Sequence, residues 1–295
     1  MNLRDRTVFI TGAARGIGEH MARAATARGA TVFLAGLEPS RLARLAGELN
    51  GGWAECDVTH QASLASAVAA CVERTGGIDV VVANAGIANL GTVAVSDVEA
   101  LVRTIDVNLN GVIRTVAATL PHVRAAQGYV LLMSSAAAFT GLPGMAAYCA
   151  AKAGVEQFGT VLRLELAQHG VAVGTAHPGW VDTDLVRDIR DDLPSFRTAL
   201  AKLPWPLRST VPVGQCARQL VRAIERRQRR VYVPRAVAGV QAIRTVLASR
   251  LTDAALRRVG TEQVSQLERE VAALGRSFGR NSVESTVEAP RADQP

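Results

Sequence analysis

The 295 residues suit one large domain, or one domain with an appendage, and an apolar content of 48% supplies a sizeable core. Aromatics are only 4%, so that core is aliphatic and alanine-rich. No run of 18 apolar residues is present, so no membrane-spanning helix is expected.

The opening MNLRDRTVFITG lacks the basic-then-apolar design of a secretion signal. Cys56, Cys71, Cys149 and Cys216 form no CxxC pair and no metal-ligand spacing with histidine, so we expect reduced thiols, no bound metal and a cytoplasmic protein. The net charge of +7 owes much to a late cluster, Arg222, Arg226, Arg227, Arg229, Arg230 and Arg235. A solvated helix end running into a strand explains that cluster better than a nucleic-acid patch does.

Strand and helix signals alternate from the start. TVFIT is a buried strand, and Gly16 to Arg28 a helix closed by Gly29. TVFLAG is a second strand, and the helix Pro39 to Leu49 follows, with proline early, where its missing N–H costs nothing. WAECDV, the helix Ala62 to Arg74 and the strand IDVVVANAG come next. The last of these shows no polar alternation, as expected of a strand covered on both faces. Ser96 to Glu99 spells a capping box, and the long helix after it runs to about His122. GYVLLMSS, a helix from Tyr148 to His169, the strand VAVGTAHPG, a helix from Val213 to Arg227 and the short strand RRVYVP complete the repeat. This pattern predicts a doubly wound α/β fold, Rossmann-like, with a mostly parallel sheet and helices on both faces.

Residues 1–235 therefore form one domain that carries this repeat. Within it, 182–212 is too long for a plain connection; it carries Pro194, Pro204, Trp205, Pro206 and Pro212 and is expected to cover a site. Residues 236–275 hold two amphipathic candidates, about Ala236 to Ser249 and Asp253 to Leu274, as a helical extension. The polar stretch 276–295 is expected to be disordered.

The segment Thr11-Gly12-Ala13-Ala14-Arg15-Gly16-Ile17-Gly18 leaves the first strand and opens a helix. Glycines allow a sharp turn and close approach to a pyrophosphate, and the helix N-terminus offers N–H donors. The second strand ends at Gly36, where an acid would have bound a ribose diol. Glu38 lies two positions on, and Arg15 is placed to hold a 2′-phosphate. NADP(H) is therefore favoured over NAD(H), which stays open. Asp57 and Val58 end the third strand, where they can touch the adenine edge.

Tyr148 and Lys152 lie four apart on a helix, hence on one face. A free tyrosine titrates near about 10, and a neighbouring ammonium favours its phenolate, which suits it to acid–base work. Ser135 ends the fifth strand and Asn84-Ala85-Gly86 the fourth, both at the carboxyl edge where such sheets bind ligands. Asn108 stands inside a long helix, where asparagine is a poor former and needs a reason.

With these pieces the sequence resembles the short-chain dehydrogenase/reductase family, of the type with TGxxxGxG and YxxxK motifs. The resemblance spans about residues 5–235, through TGAARGIG, the NAG at 84–86, Asn108, Ser135, YCAAK and PGWVDT, with Asn108, Ser135, Tyr148 and Lys152 separated by 27, 13 and 4 positions. It implies Tyr148 as proton donor or acceptor, Ser135 holding the reacting oxygen, and Lys152 lowering the tyrosine pKa while binding the nicotinamide ribose. It implies that Asn108 anchors a water, that Asn84, Ala85 and Gly86 line the cofactor cleft, and that Pro178, Gly179, Val181 and Thr183 cradle the nicotinamide. Gly36 departs from relatives that carry an acid or adjacent base there. Pairing of the helices 97–122 and 148–169 implies a homodimer or homotetramer.

The resulting expectation is an NAD(P)-dependent oxidoreductase interconverting a hydrophobic secondary alcohol and its ketone, or an aldehyde and its alcohol. Ala136, Ala137, Phe139, Met145 and Trp180 are expected in the pocket wall. Two alternatives are a catalytically silent cofactor sensor or scaffold on the same fold, and an epimerase or dehydratase, disfavoured by the spacing of the first turn. Peripheral membrane contact through the basic cluster and the helix after it is a secondary possibility.

Overall fold

Each inner strand of this protein is apolar on both faces, so a layer of helices must cover each side. The computed structural model describes residues 1–203, 208–247 and 249–280, without the side chains at 250–260. Pro204, Trp205 and Pro206 of the expected covering loop lie outside the described residues.

The elements in chain order are β1 (Thr7–Thr11), α1 (Gly16–Thr26), β2 (Thr31–Gly36), α2 (Pro39–Leu49), β3 (Gly52–Glu55), α3 (Gln61–Thr75) and β4 (Val80–Ala83). Next come α4 (Val98–Ile105), α5 (Gly111–Ala125), β5 (Tyr129–Met133), α6 (Ala146–Leu166) and β6 (Ala172–Pro178). The covering region holds β7 (Val181–Asp182), α7 (Asp184–Asp192), α8 (Pro194–Ala201) and β8 (Val211–Pro212). α9 (Val213–Glu225), β9 (Arg230–Val233), α10 (Val237–Ala242), α11 (Arg244–Leu247) and α12 (Arg250–Leu274) close the chain.

Seven parallel strands lie in the order β3-β2-β1-β4-β5-β6-β9. The order reverses between β1 and β4, which opens a crevice at their carboxyl ends. Alternation along β1 divides the core. Val8 and Ile10 pack in one apolar layer with Met21 and Ala22 of α1, Leu42 of α2 and Leu220 of α9. Phe9 packs in the other with Leu64 of α3, Val116 of α5 and Val155 of α6.

Several local expectations need correction. Asp97, not Ser96, caps α4: its side chain accepts from the Glu99 N–H, while Ser96 Oγ donates to the Leu90 carbonyl. The long helix is not continuous but passes through a π-helical turn at Asp106–Asn110. Its cause lies in Asn108, whose buried side-chain amide donates to the Thr104 carbonyl at 2.8 Å and so competes for an acceptor of the α-helical ladder. The stretch Ala236 to Ser249 forms two short helices rather than one. Arg276–Arg280, expected to be disordered, starts docked against the body: the Leu90 N–H donates to the Ser277 carbonyl, and Phe278 bridges Asn89.

Part of the arginine cluster is structural. Arg227 Nη2 donates to the carbonyls of Gln127, Gly128 and Gly170, tying loop ends together. Arg230 of β9 pairs with Glu156 of α6 at 2.7 Å. Glu156 also accepts from His177 Nε2 of β6 at 2.7 Å. Burial, with Arg230 close by, depresses the His177 pKa to about 3, so this contact is a neutral hydrogen bond and Arg230 supplies the counter-charge. The Glu156 side chain thus latches α6 to both β6 and β9.

Removing one member of a buried pair strands the other. Glu156→Ala is expected to cost about 3 kcal/mol, read as a lower urea midpoint at unchanged slope. A midpoint equal to that of the parent protein would show the latch to be inert.

Candidate active site

The crevice is set by the first residues past β1 and β4. Asn84 donates from its backbone N–H to Thr11 Oγ1 at 3.0 Å and from Nδ2 to the carbonyls of Thr11 and Gly12, each at 3.0 Å. Gly12 sits at φ +62°, and a Cβ there would lie 2.7 Å from Ala85 Cα, so only glycine fits. The chain then enters α1 through Arg15, which is extended and makes no side-chain cap. The first-turn N–H groups of α1 therefore stay available to an anion, as a pyrophosphate requires.

Arg15 is committed to Glu38. Its Nη2 lies 2.5 Å from Oε1 and its Nε donates to Oε2 at 3.0 Å, a two-pronged pair. Glu38 is buried, and Asp184 lies 3.8 Å from Arg15 on the other side. This pair stands where the ribose of the adenosine half would lie, past Gly36.

Further along the cleft, α6 brings up Tyr148 and Lys152. Lys152 is 4% exposed, and its Nζ donates to the Met133 carbonyl at the end of β5 at 2.9 Å. Burial lowers its pKa to about 8. The ammonium keeps N–H capacity beyond that one bond, which fits a ribose diol. Ser134 Oγ donates to the Lys152 backbone carbonyl at 2.8 Å and so positions the helix itself. Ser135, one residue on, lines the same cleft as the half-buried Tyr148 and donates to the Pro178 carbonyl at 3.4 Å.

Burial pushes the Tyr148 pKa up to about 12, against the lowering that the resemblance assigns to Lys152, and the Ser135 hydroxyl opposes that rise. Lys152 Nζ lies 5.5 Å from the ring centroid, over the ring. Asn108 donates from Nδ2 to the Ile87 carbonyl at 2.7 Å, and its buried Oδ1 has no hydrogen-bond partner among the described residues. A Cβ on Gly86 would stand 2.7 Å from that Oδ1 and 3.5 Å from Lys152 Nζ, so glycine keeps the space between them open.

One cleft is lined by nearly every residue singled out from the sequence, from Gly12 and Arg15 through Asp57, Asn84 and Asn108 to Ser135, Tyr148, Lys152, Pro178 and Thr183. Gly18 is the exception: it packs under the turn, where a Cβ would meet the Gly12 carbonyl oxygen at 2.3 Å. The expected pocket wall is displaced. Phe139 turns away to stack on His177, with ring centroids 4.7 Å apart, and Trp180 packs edge-on to Phe196. Ile87, Leu185, Val186 and Phe278 line the cleft instead. Phe278 is out of reach of sequence reasoning because only folding brings the chain's far end to α7. Thr11 was legible, as the polar residue closing an apolar strand.

Among the described residues no group of three or more His, Cys, Asp or Glu is placed to hold a metal, and no helix is long and apolar enough to cross a membrane. Residues 6–194 match the family described as short chain dehydrogenase. The trans-4-hydroxycyclohexanecarboxylate dehydrogenase of Sinomonas cyclohexanicum is 36% identical over 197 residues, covering 63% of this chain and 76% of that protein. Oxidoreductase UcpA of Salmonella typhimurium is 35% identical over 230 residues, covering 73% and 87%. The crystal structure of gox2181 superposes with a TM-score of 0.73 at 24% identity, covering 80% of this chain and 97% of that one, and speaks for the fold. The chain belongs to the short-chain dehydrogenase family. It is an oxidoreductase acting on CH–OH groups with NAD(P).

The buried Lys152 charge opposes folding. Because its folded pKa is depressed to about 8, the unfolded chain binds the extra proton between that value and 10.5, and stability rises with pH across this window. Lys152→Met is thus expected to melt higher than the parent at pH 7, with the advantage shrinking between pH 8 and 10.5. A variant less stable at pH 7 would contradict this.

Proposed function

We propose that this enzyme interconverts a hydrophobic secondary alcohol and its ketone, with Tyr148 as the acid–base group. The observation that carries the reading is that Ser135 and Tyr148 meet in one cleft at the β1/β4 crevice, with the buried Lys152 ammonium 5.5 Å from the Tyr148 ring centroid. When bound, NAD(P) supplies the redox partner for the carbinol carbon and, in its oxidised form, a positive charge that favours the Tyr148 phenolate.

Ser135 Oγ and Tyr148 Oη hold the reacting oxygen from one side. In the reductive direction Tyr148 gives its proton to that oxygen, and in oxidation it takes the proton away. Lys152 binds the ribose next to the reacting ring. The unmatched Asn108 Oδ1 suits a water that links Lys152 to the outside. The N-terminus of α1 takes the pyrophosphate, and Asp57 and Val58 the adenine edge. Pro178, Gly179, Val181 and Thr183 cradle the nicotinamide.

For the cofactor, the Arg15–Glu38 pair supports a reading different from that of Arg15 alone. A 2′-phosphate has to displace the Glu38 carboxylate from Arg15, whereas a 2′-hydroxyl can donate to it. We infer a preference for NAD(H). The apolar Ile87, Leu185 and Val186 support a hydrophobic substrate, and the Sinomonas relative, named for a hydroxylated cyclohexane carboxylate, supports an alicyclic ring. Exposed Val98, Val102, Val161 and Leu164 on α4 and α6 support a homodimer or homotetramer, and a monomer by light scattering would remove that part.

Tyr148→Phe is expected to lower kcat at least a thousandfold in a panel of alcohols and ketones, with NADH binding retained; near-parental turnover would sink the mechanism. Glu38→Ala removes the two-pronged carboxylate partner of Arg15 and is expected to move the NAD(H):NADP(H) affinity ratio at least tenfold toward NADP(H), about 1.4 kcal/mol. An unmoved ratio, or a parent enzyme preferring NADP(H), would remove the cofactor assignment.

A further inference from the structure

The last described residues do not trail away from the body. α12 docks on the covering helices: Leu267 and Val271 pack with Leu90, Met145, Ile189 and Leu193, in a cluster against which Tyr148 also rests. Glu270 accepts from the Ser195 N–H at 3.1 Å and from its Oγ at 2.6 Å, at the start of α8. Glu268 accepts from Thr92 Oγ1 at 2.7 Å. After Gly275 the chain turns back across the crevice.

A short antiparallel bridge and an ion pair hold this strap, and a bond within it braces its backbone. The Leu90 N–H donates to the Ser277 carbonyl at 2.8 Å, and Phe278 makes an antiparallel bridge with Asn89. Arg276 Nη2 lies 2.5 Å from Asp192 Oδ2 at the end of α7, where the Asp192 side chain is only 5% exposed. Arg276 Nη1 donates back to the Phe278 carbonyl at 2.6 Å, which fixes the backbone that carries the ring. The strap therefore joins the segment after β4 to the end of α7. Phe278 lines the same cleft as Tyr148 and Ser135, together with Ile87, Leu185 and Val186.

We propose that Phe278 is a specificity-determining residue of the substrate site: it closes the apolar compartment and limits it to compact ring alcohols and ketones. The inference rests on the substrate reading above. The family match ends at residue 194, so this wall is supplied by a part of the chain outside that match. An aromatic ring pinned by its own backbone and by a buried carboxylate presents a fixed surface. Such a surface discriminates by shape, at roughly tenfold or more for each added carbon that does not fit. Phe278 is half-buried and lies outside the sheet's two core layers, so its truncation leaves the fold intact.

The test compares the full-length parent with Phe278→Ala and Phe278→Trp. For each, kcat/KM is measured for cyclohexanol and for 4-tert-butylcyclohexanol. Binding of the corresponding ketones is measured separately, from the quenching of bound NADH fluorescence. The parent is expected to prefer the small ring. Phe278→Ala should raise the bulky-to-small ratio at least tenfold in both measurements, and Phe278→Trp should lower it. If no form turns over either alcohol but the binding ratio still shifts, the inference stands and the assigned reaction falls. Binding ratios within twofold across the three proteins, or no ketone binding by any of them, overturn the inference even where turnover is normal.

Discussion

The hydrogen bonds between Asn84 and the Thr11–Gly12 turn are the constraint from which the rest of the site follows. β1 and β4 are neighbours in the sheet, but the chain leaves them toward opposite sides, so their ends would diverge without a tie. The Asn84 side chain supplies it by spanning two consecutive carbonyls, while Thr11 Oγ1 accepts from the N–H groups of both Asn84 and Ala85. With this tie in place, the glycine turn that faces an anion and the Asn84–Gly86 wall are held at one spacing. Either strand moved alone would open or close the cleft.

The chemistry is then delivered by one face of one helix. Tyr148, Lys152 and Glu156 follow each other at intervals of four along α6. The first meets Ser135, the second the Met133 carbonyl, and the third His177 and Arg230. The stripe runs from reacting group to structural latch, and the latch fixes the rotation of the helix that presents the reacting group. His177 also precedes Pro178, whose carbonyl accepts from Ser135. A disturbance at Glu156 therefore has two routes to the cleft, one along α6 and one along β6.

Much of this was legible in the sequence because it is local. Apolar runs in β1, β4 and β5 mark strands, glycines at positive φ mark the turn, and Tyr148 and Lys152 share a face by spacing alone. Element ends were less legible, since Asp97 and Ser96 are both competent caps and only the loop path decides between them. What stayed hidden depends on tertiary neighbours. Arg15 reads as unpaired until Glu38 is seen against it, and Phe139 reads as pocket until His177 is seen stacked on it. A tyrosine beside a lysine reads as acidified, whereas the burial that pulls the other way is visible only in the fold. The π-helical turn has a visible cause, Asn108, but its form depends on which carbonyl the side chain takes.

The docking of Arg276–Arg280 has a consequence for the order in which the protein becomes an enzyme. The seven-stranded sheet is complete once β9 has been made, and the Tyr148–Lys152 pair is already in place by then. The cleft is closed only after α12 and the residues beyond it have been synthesised. The reactive edge and the wall that closes it are thus encoded in separate stretches of the polypeptide, one in the sheet and one beyond α12. Selectivity can change by substitution in the second stretch without a change in the first.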